Sequence, residues 1–184
     1  MSVWWLVTVA FAQDPLAEKQ RLEDELVKLA QRNTWTGVDR TYRRLIELDV
    51  ALSPEDHYLA ARAAFAAGQT GVGWFRLRRA LATPEPSDPV QVEARLSAER
   101  ESAALADRFG LVSIYVGQGA VPVLYREAMP FSQQERDAIV AAQKAVSAGH
   151  GFRGYLPVGS YALDTVRFEV VANDDWLVVT AGVR

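Results

Sequence analysis

The apolar positions of the chain follow one period before Gly110 and another after it. Over residues 15–33, Leu16, Leu22, Leu26, Leu29 and Ala30 recur at the spacing of one helical face, among Glu18, Lys19, Glu23 and Lys28. That spacing predicts an amphipathic helix. Val38, Tyr42, Leu45, Ile46 and Leu48 predict a second over 37–49. Ser53-Pro54-Glu55-Asp56 opens a third: the serine oxygen can take an orphan N–H, proline costs no bond at the first helical position, and acids suit the positive end. This helix runs through an Ala-rich stretch to Gly68. A fourth spans 71–82 and is stopped by Pro84, Pro86 and Pro89, and a fifth starts at Ser87 or Asp88 and ends at Gly110.

After Gly110 the segments 111–116, 120–125, 153–156, 161–163, 166–171 and 176–180 are short, β-branched or aromatic, and separated by Gly, Pro, Asn or Asp. They predict strands. Val166, Phe168 and Val170 alternate with Arg167 and Glu169, giving one buried and one wet face, and Asn173-Asp174 suits a hairpin turn. Ser132-Gln133-Gln134-Glu135 has the form of a capping box, opening a helix with Ile139, Ala142 and Val146 that stops at Gly149. The expected class is α+β: a helical domain over 13–109, then a β-rich domain over 110–184 with one inserted helix over 132–148.

Shifting the helical half against itself by 35 residues brings Asn33 onto Gly68, the two residue types that best accept left-handed backbone. It also brings Leu26 onto Ala61, Leu29 onto Ala64, and Tyr42-Arg43-Arg44-Leu45-Ile46 onto Leu77-Arg78-Arg79-Ala80-Leu81. On these residues the half resembles a tetratricopeptide-like repeat, whose unit is a helix pair of about 34 residues. Small Ala61, Gly73 and Ala80, bulky Phe65 and Leu77, and the closing Pro84 carry the resemblance in the second copy, while Leu26, Val38 and Leu45 depart from it in the first. The resemblance implies close helix packing at Gly73 and a concave groove with Tyr58, Arg62 and Phe65 for a protein partner. The stretch from Gly151 to Leu163, in which a Pro157 and Gly159 turn precedes Tyr161-Ala162-Leu163, resembles carboxypeptidase-regulatory or transthyretin-like β-sandwiches. That resemblance implies a small antiparallel sandwich.

At the N-terminus, Val3 to Phe11 is apolar but for Thr8, and the run ends in Ala10-Phe11-Ala12. A bilayer span needs about 20 apolar residues, so the run fits a secretory signal rather than an anchor. We expect cleavage after Ala12, a periplasmic or secreted protein, and no membrane span after cleavage. Composition then narrows the chemistry. In 184 residues there is no Cys and a net charge of −3. Disulfides, thiolate zinc sites and thiol catalysis are excluded, and the charge argues against a nucleic-acid partner.

His57 and His150 lie too far apart in sequence for a helix-spaced metal pair, and Asp174-Asp175 lacks the spacing of an EF-hand. Gly149 to Gly154 has the spacing G-x-G-x-x-G, but a helix precedes it and a strand follows, the reverse of a dinucleotide site. Ser160 lies in no G-x-S-x-G elbow. No catalytic residue, metal ligand or cofactor is assigned. Arg43, Arg44, Arg78 and Arg79 recur at the 35-residue offset and offer an anion-binding stripe. The expected function is an exported, non-enzymatic binding or assembly component of the bacterial cell envelope that holds a protein partner in its helical groove. The alternatives are a polysaccharide or peptidoglycan binder using aromatic and arginine side chains, and a hydrolase whose carboxylates, such as Glu135 and Asp164, meet only in the fold.

Overall fold

A computed structural model describes residues 14–84, 86–172 and 175–182. Met1 to Ala12 and the Asn173-Asp174 turn lie outside the described residues. Five helices come first: α1 (Pro15–Gln31), α2 (Trp35–Glu47), α3 (Pro54–Ala66), α4 (Thr70–Ala82) and α5 (Pro89–Ala106). At α1, α3 and α5 the start is chemically set in the same way: Asp14, Ser53 and Asp88 cap with their side chains and proline follows in the first turn. At Ser53 the box is reciprocal, since the Asp56 carboxylate accepts the Ser53 backbone N–H at 2.8 Å. The fifth helix stops short of the expected Gly110, because Phe109 and Gly110 already belong to the first strand.

The 35-residue offset is written into the backbone. Asn33 (φ 54°) and Gly68 (φ 71°) both take the left-handed conformation. Their N–H groups donate to the Ala30 and Phe65 carbonyls, and those of Thr34 and Gln69 donate to Leu29 and Ala64, so both helices close with the same pair of bonds. Side chains repeat likewise. Leu26 and Ala61, Val38 and Gly73, Tyr42 and Leu77, and Leu45 and Ala80 are all buried. Arg43, Arg44, Arg78 and Arg79 are all exposed. A Cβ built on Gly73 would stand 2.4 Å from the Phe65 ring, the close approach expected there.

The second part comprises β1 (Phe109–Val116), β2 (Leu124–Arg126), α6 (Gln133–Ser147), β3 (Phe152–Pro157), β4 (Gly159–Leu163), β5 (Val166–Val170) and β6 (Leu177–Ala181). They form two three-stranded sheets, ordered β3-β1-β6 and β2-β4-β5. Every pair is antiparallel except β1 with β6, which run parallel with Val112 opposite Leu177. The expectation of a purely antiparallel arrangement is thereby corrected. A parallel pair needs a long crossover, and the whole second sheet and α6 lie between β1 and β6 in the chain. The strand expected over 120–125 shrinks to three residues, since buried Pro122 has no N–H to give a ladder.

Both sheets and α6 share one core around Val112, Ile114, Ile139, Leu156, Leu163 and Val170. Leu22, Leu26, Val38, Leu45 and Ala60 form another under α1 to α3. Between them, Ala61, Trp74, Leu77, Leu105, Phe109 and Ala138 form a third, which joins α3, α4 and α5 to β1 and α6. The helices and the sheets are thus held by shared apolar burial, the dominant favourable force in folding.

Candidate binding clefts

An open cleft of about 1110 Å³ lies between α4, α6 and the β3 edge of the first sheet. Val72, Phe75 and Arg79 line it from one face of α4, at the spacing that brings successive turns into line, with Arg78 beside them. Ala138 and Ala141 contribute from α6, Leu111, Arg153 and Tyr155 from the sheet, and Trp176 from the residue just before β6. Arg153 and Tyr155 are alternate residues of β3 and so share a face; Tyr155 is directly opposite Leu111 on β1. Trp74 fixes the junction, stacked on Tyr155 at 4.1 Å with 4° between planes and edge-on to Phe109 at 6.1 Å.

The charge in this cleft has one sign. Among the described residues its lining includes Arg78, Arg79 and Arg153 and no aspartate or glutamate. Arg153 lies over the Trp176 indole at 4.4 Å and Arg79 over the Phe75 ring at 4.9 Å. Burial pushes the Tyr42 phenol up, and the positive charges of Arg76 and Arg79 oppose that shift. Among the described residues none of the three arginines is in an ion pair, whereas Arg21, Arg43, Arg44, Arg76, Arg95, Arg100 and Arg108 each have at least one.

A second groove of about 590 Å³ holds Arg62 and Phe65 with Trp35, Glu101, Arg108 and Asp137. Arg62 is exposed and lies over the Trp35 ring at 5.1 Å. The Tyr58 hydroxyl donates to Glu101 of this groove at 2.9 Å, tying α3 to α5. Burial, and then the Glu101 charge, push that phenol up, so it stays protonated as the donor. Phe65 is half-buried against Gly73. The neighbouring acids are also engaged, Asp56 by Ser53 and Glu55 by Gln91.

The four arginines expected as one stripe therefore divide. Arg78 and Arg79 stand in the first cleft, while Arg43 pairs with Asp39 at 2.7 Å and Arg44 with Glu18 at 3.1 Å on α2, outside both openings. Arg76 turns inward, donating to the Ala60 carbonyl at 2.8 Å and pairing with Asp39 at 2.7 Å. Sequence reasoning missed Phe75, Arg153, Tyr155 and Trp176. Their signal was present only as alternation within single elements, and nothing in the sequence brings α4 beside β3.

The carboxylates and the helical histidine weighed for catalysis in the sequence have partners in the fold. Glu135 accepts from Arg108 and Asp164 accepts the Val123 N–H at 2.9 Å. His57 is buried against the Tyr42 hydroxyl at 2.8 Å. Among the described residues no three of His, Cys, Asp or Glu gather to hold a metal ion, and no helix is long and apolar enough to cross a membrane. No family model, curated protein or solved structure matches this chain.

Proposed function

We propose that this chain is an exported, non-enzymatic binding or assembly component of a bacterial cell envelope, acting on a protein partner. The observation that carries the reading is the first cleft: a wide opening walled by apolar and aromatic side chains whose described lining residues include three arginines outside any ion pair and no acid. Such a surface recognises; it does not assemble a nucleophile with a base. The repeated helix closures at Asn33 and Gly68 support a tetratricopeptide-like reading of the first half, and the two small sheets over one core support a sandwich-like second half. Export rests on the apolar run from Val3 to Phe11 and its Ala10-Phe11-Ala12 ending.

The polysaccharide alternative is weaker at this cleft. Sugar hydroxyls are donors as well as acceptors and need carboxylate or amide oxygens to receive them, and among the described residues the lining offers no carboxylate and one amide, Gln69. The test is proximity crosslinking in the native envelope with identification of the adduct, together with the intact mass of the purified chain. Protein adducts and loss of Met1 to Ala12 support the reading. Glycan adducts, or soluble protein that keeps Trp4 and Trp5, overturn it.

A further inference from the structure

We infer that the cleft between α4 and β3 takes an acidic peptide segment whose carboxylates neighbour aliphatic or aromatic side chains. This rests on the reading that the partner is a protein and names the chemistry of the part it inserts. Two kinds of complementarity meet at one place. Val72, Phe75, Tyr155 and Trp176 offer apolar and aromatic surface in an open trough rather than a closed cavity, which suits the side chains of an extended chain. Around that surface, Arg78 and Arg153 project from opposite walls, one on the helix and one on the sheet, and Arg79 adds a third positive charge.

Asp and Glu outnumber Lys and Arg by 23 to 20 in this chain of net charge −3, yet the described residues lining this cleft include no acid. The second groove shows the contrast: there Glu101 and Asp137 face Arg62 and Arg108, so its charge is mixed and it has no preference of sign. In the first cleft a guanidinium can reach a carboxylate with two parallel N–H bonds while its carbon stem and the ring below it cover apolar surface. Arg153 over Trp176 is already held in that posture. A cationic or neutral polar segment would lose its own solvation there without gaining a partner.

The experiment titrates the full chain with three labelled octapeptides, blocked at both ends, in which Leu and Phe alternate with Glu, Gln or Lys. Fluorescence anisotropy reads the affinity. The Glu peptide should bind at least about tenfold tighter than the Gln peptide, and the advantage should shrink as salt screens it. Arg78→Ala with Arg153→Ala should remove that advantage, Arg78→Glu should shift preference toward the Lys peptide, and Arg62→Ala should leave all three affinities within about twofold. Urea unfolding of each variant checks that the fold is kept; if the double variant unfolds, Arg153→Lys, which keeps the charge, with Arg78→Glu alone decides the question. Equal binding of Glu and Gln peptides, loss of binding through Arg62 instead, or binding of none of the three overturns the inference. If envelope crosslinks still capture protein, only the acidic-segment inference falls; if they capture none, the protein-binding reading falls with it.

Discussion

Trp74 lies flat on Tyr155, 4.1 Å between ring centroids, and this one stack joins the helix wall of the large cleft to its sheet wall. Trp74 is almost fully buried and packs with Leu77, Leu105 and Phe109 in the cluster shared by both parts of the molecule. Its removal would open a cavity under the cleft floor. Trp74→Ala should destabilise the chain by about 3 to 5 kcal/mol in urea unfolding. A loss below about 1 kcal/mol would mean that the surroundings collapse into the space and the stack does not hold the walls.

Gly73 and Phe65 make a second such relationship inside the helical part. A Cβ at Gly73 would come within 2.4 Å of the ring, so even alanine must push Phe65 aside. Alanine gains up to about 1 kcal/mol of helix propensity over glycine. Overpacking typically costs about 1 to 3 kcal/mol, so Gly73→Ala should be net destabilising, and Phe65→Leu should recover part of the loss. A stabilised Gly73→Ala chain in the same urea titration would contradict the packing described.

His57 gives a pH dependence with a definite sign. Burial, aided by Arg79 and Arg76 and opposed by Asp56, pushes its imidazole down to about 4 from 6.5. Its Nδ1 shares a hydrogen bond of 2.8 Å with the Tyr42 hydroxyl. Below pH 6.5 the unfolded chain binds a proton that the folded chain refuses, so stability is lost progressively as pH falls from about 6.5 to about 4, and the histidine contributes no slope above that window. Glu23 and Glu55, both held high first by burial, act in the opposite sense in acid. The difference between the parent and His57→Gln isolates the histidine: the parent's advantage over the variant should shrink across this window. A difference that stays constant from pH 7 to pH 4 would show that His57 takes up its proton in the folded state as readily as in the unfolded one.

Arg108 takes over both ends of the expected capping box. Its guanidinium donates to Ser132 Oγ at 2.9 Å and to Glu135 Oε1 at 2.9 and 2.6 Å, and Ser132 makes no cap bond with its side chain. The serine still occupies the N-cap position, but a charged donor outcompetes the neutral backbone N–H for its oxygen. Arg108→Ala should cost about 1 to 2 kcal/mol, and lysine should recover little, because one ammonium cannot reproduce the fork. Full recovery by lysine in thermal unfolding would contradict a role for the fork.

The elements with local determinants were legible in the sequence. Ser53 and Asp88 fixed helix starts through bonds to residues two or three positions on, and Asn33 and Gly68 fixed helix ends through their own backbone. What depends on distant neighbours was not. Pro122 was included in a strand because the residues around it are β-branched, and the parallel pairing of β1 with β6 has no local signature. The clefts follow the same division. Arg62, Phe65, Arg78 and Arg79 were found from repeat position, but only packing separates Arg78 and Arg79 from Arg43 and Arg44, which their own acids engage. Tyr58 was placed in the groove from its helix position, before the reach of Glu101 across from α5 could be known.

The most direct measurement of the central claim is site-specific photocrosslinking in the native envelope. A photoreactive side chain replaces Val72, which is exposed on the α4 wall of the large cleft, and in a parallel strain replaces Ser160, exposed on β4 of the other sheet. The account predicts a discrete protein adduct at Val72 that disappears when Arg78 and Arg153 are both alanine, with none at Ser160. An adduct at Val72 that is indifferent to the arginines, or adducts at Ser160 alone, would contradict it.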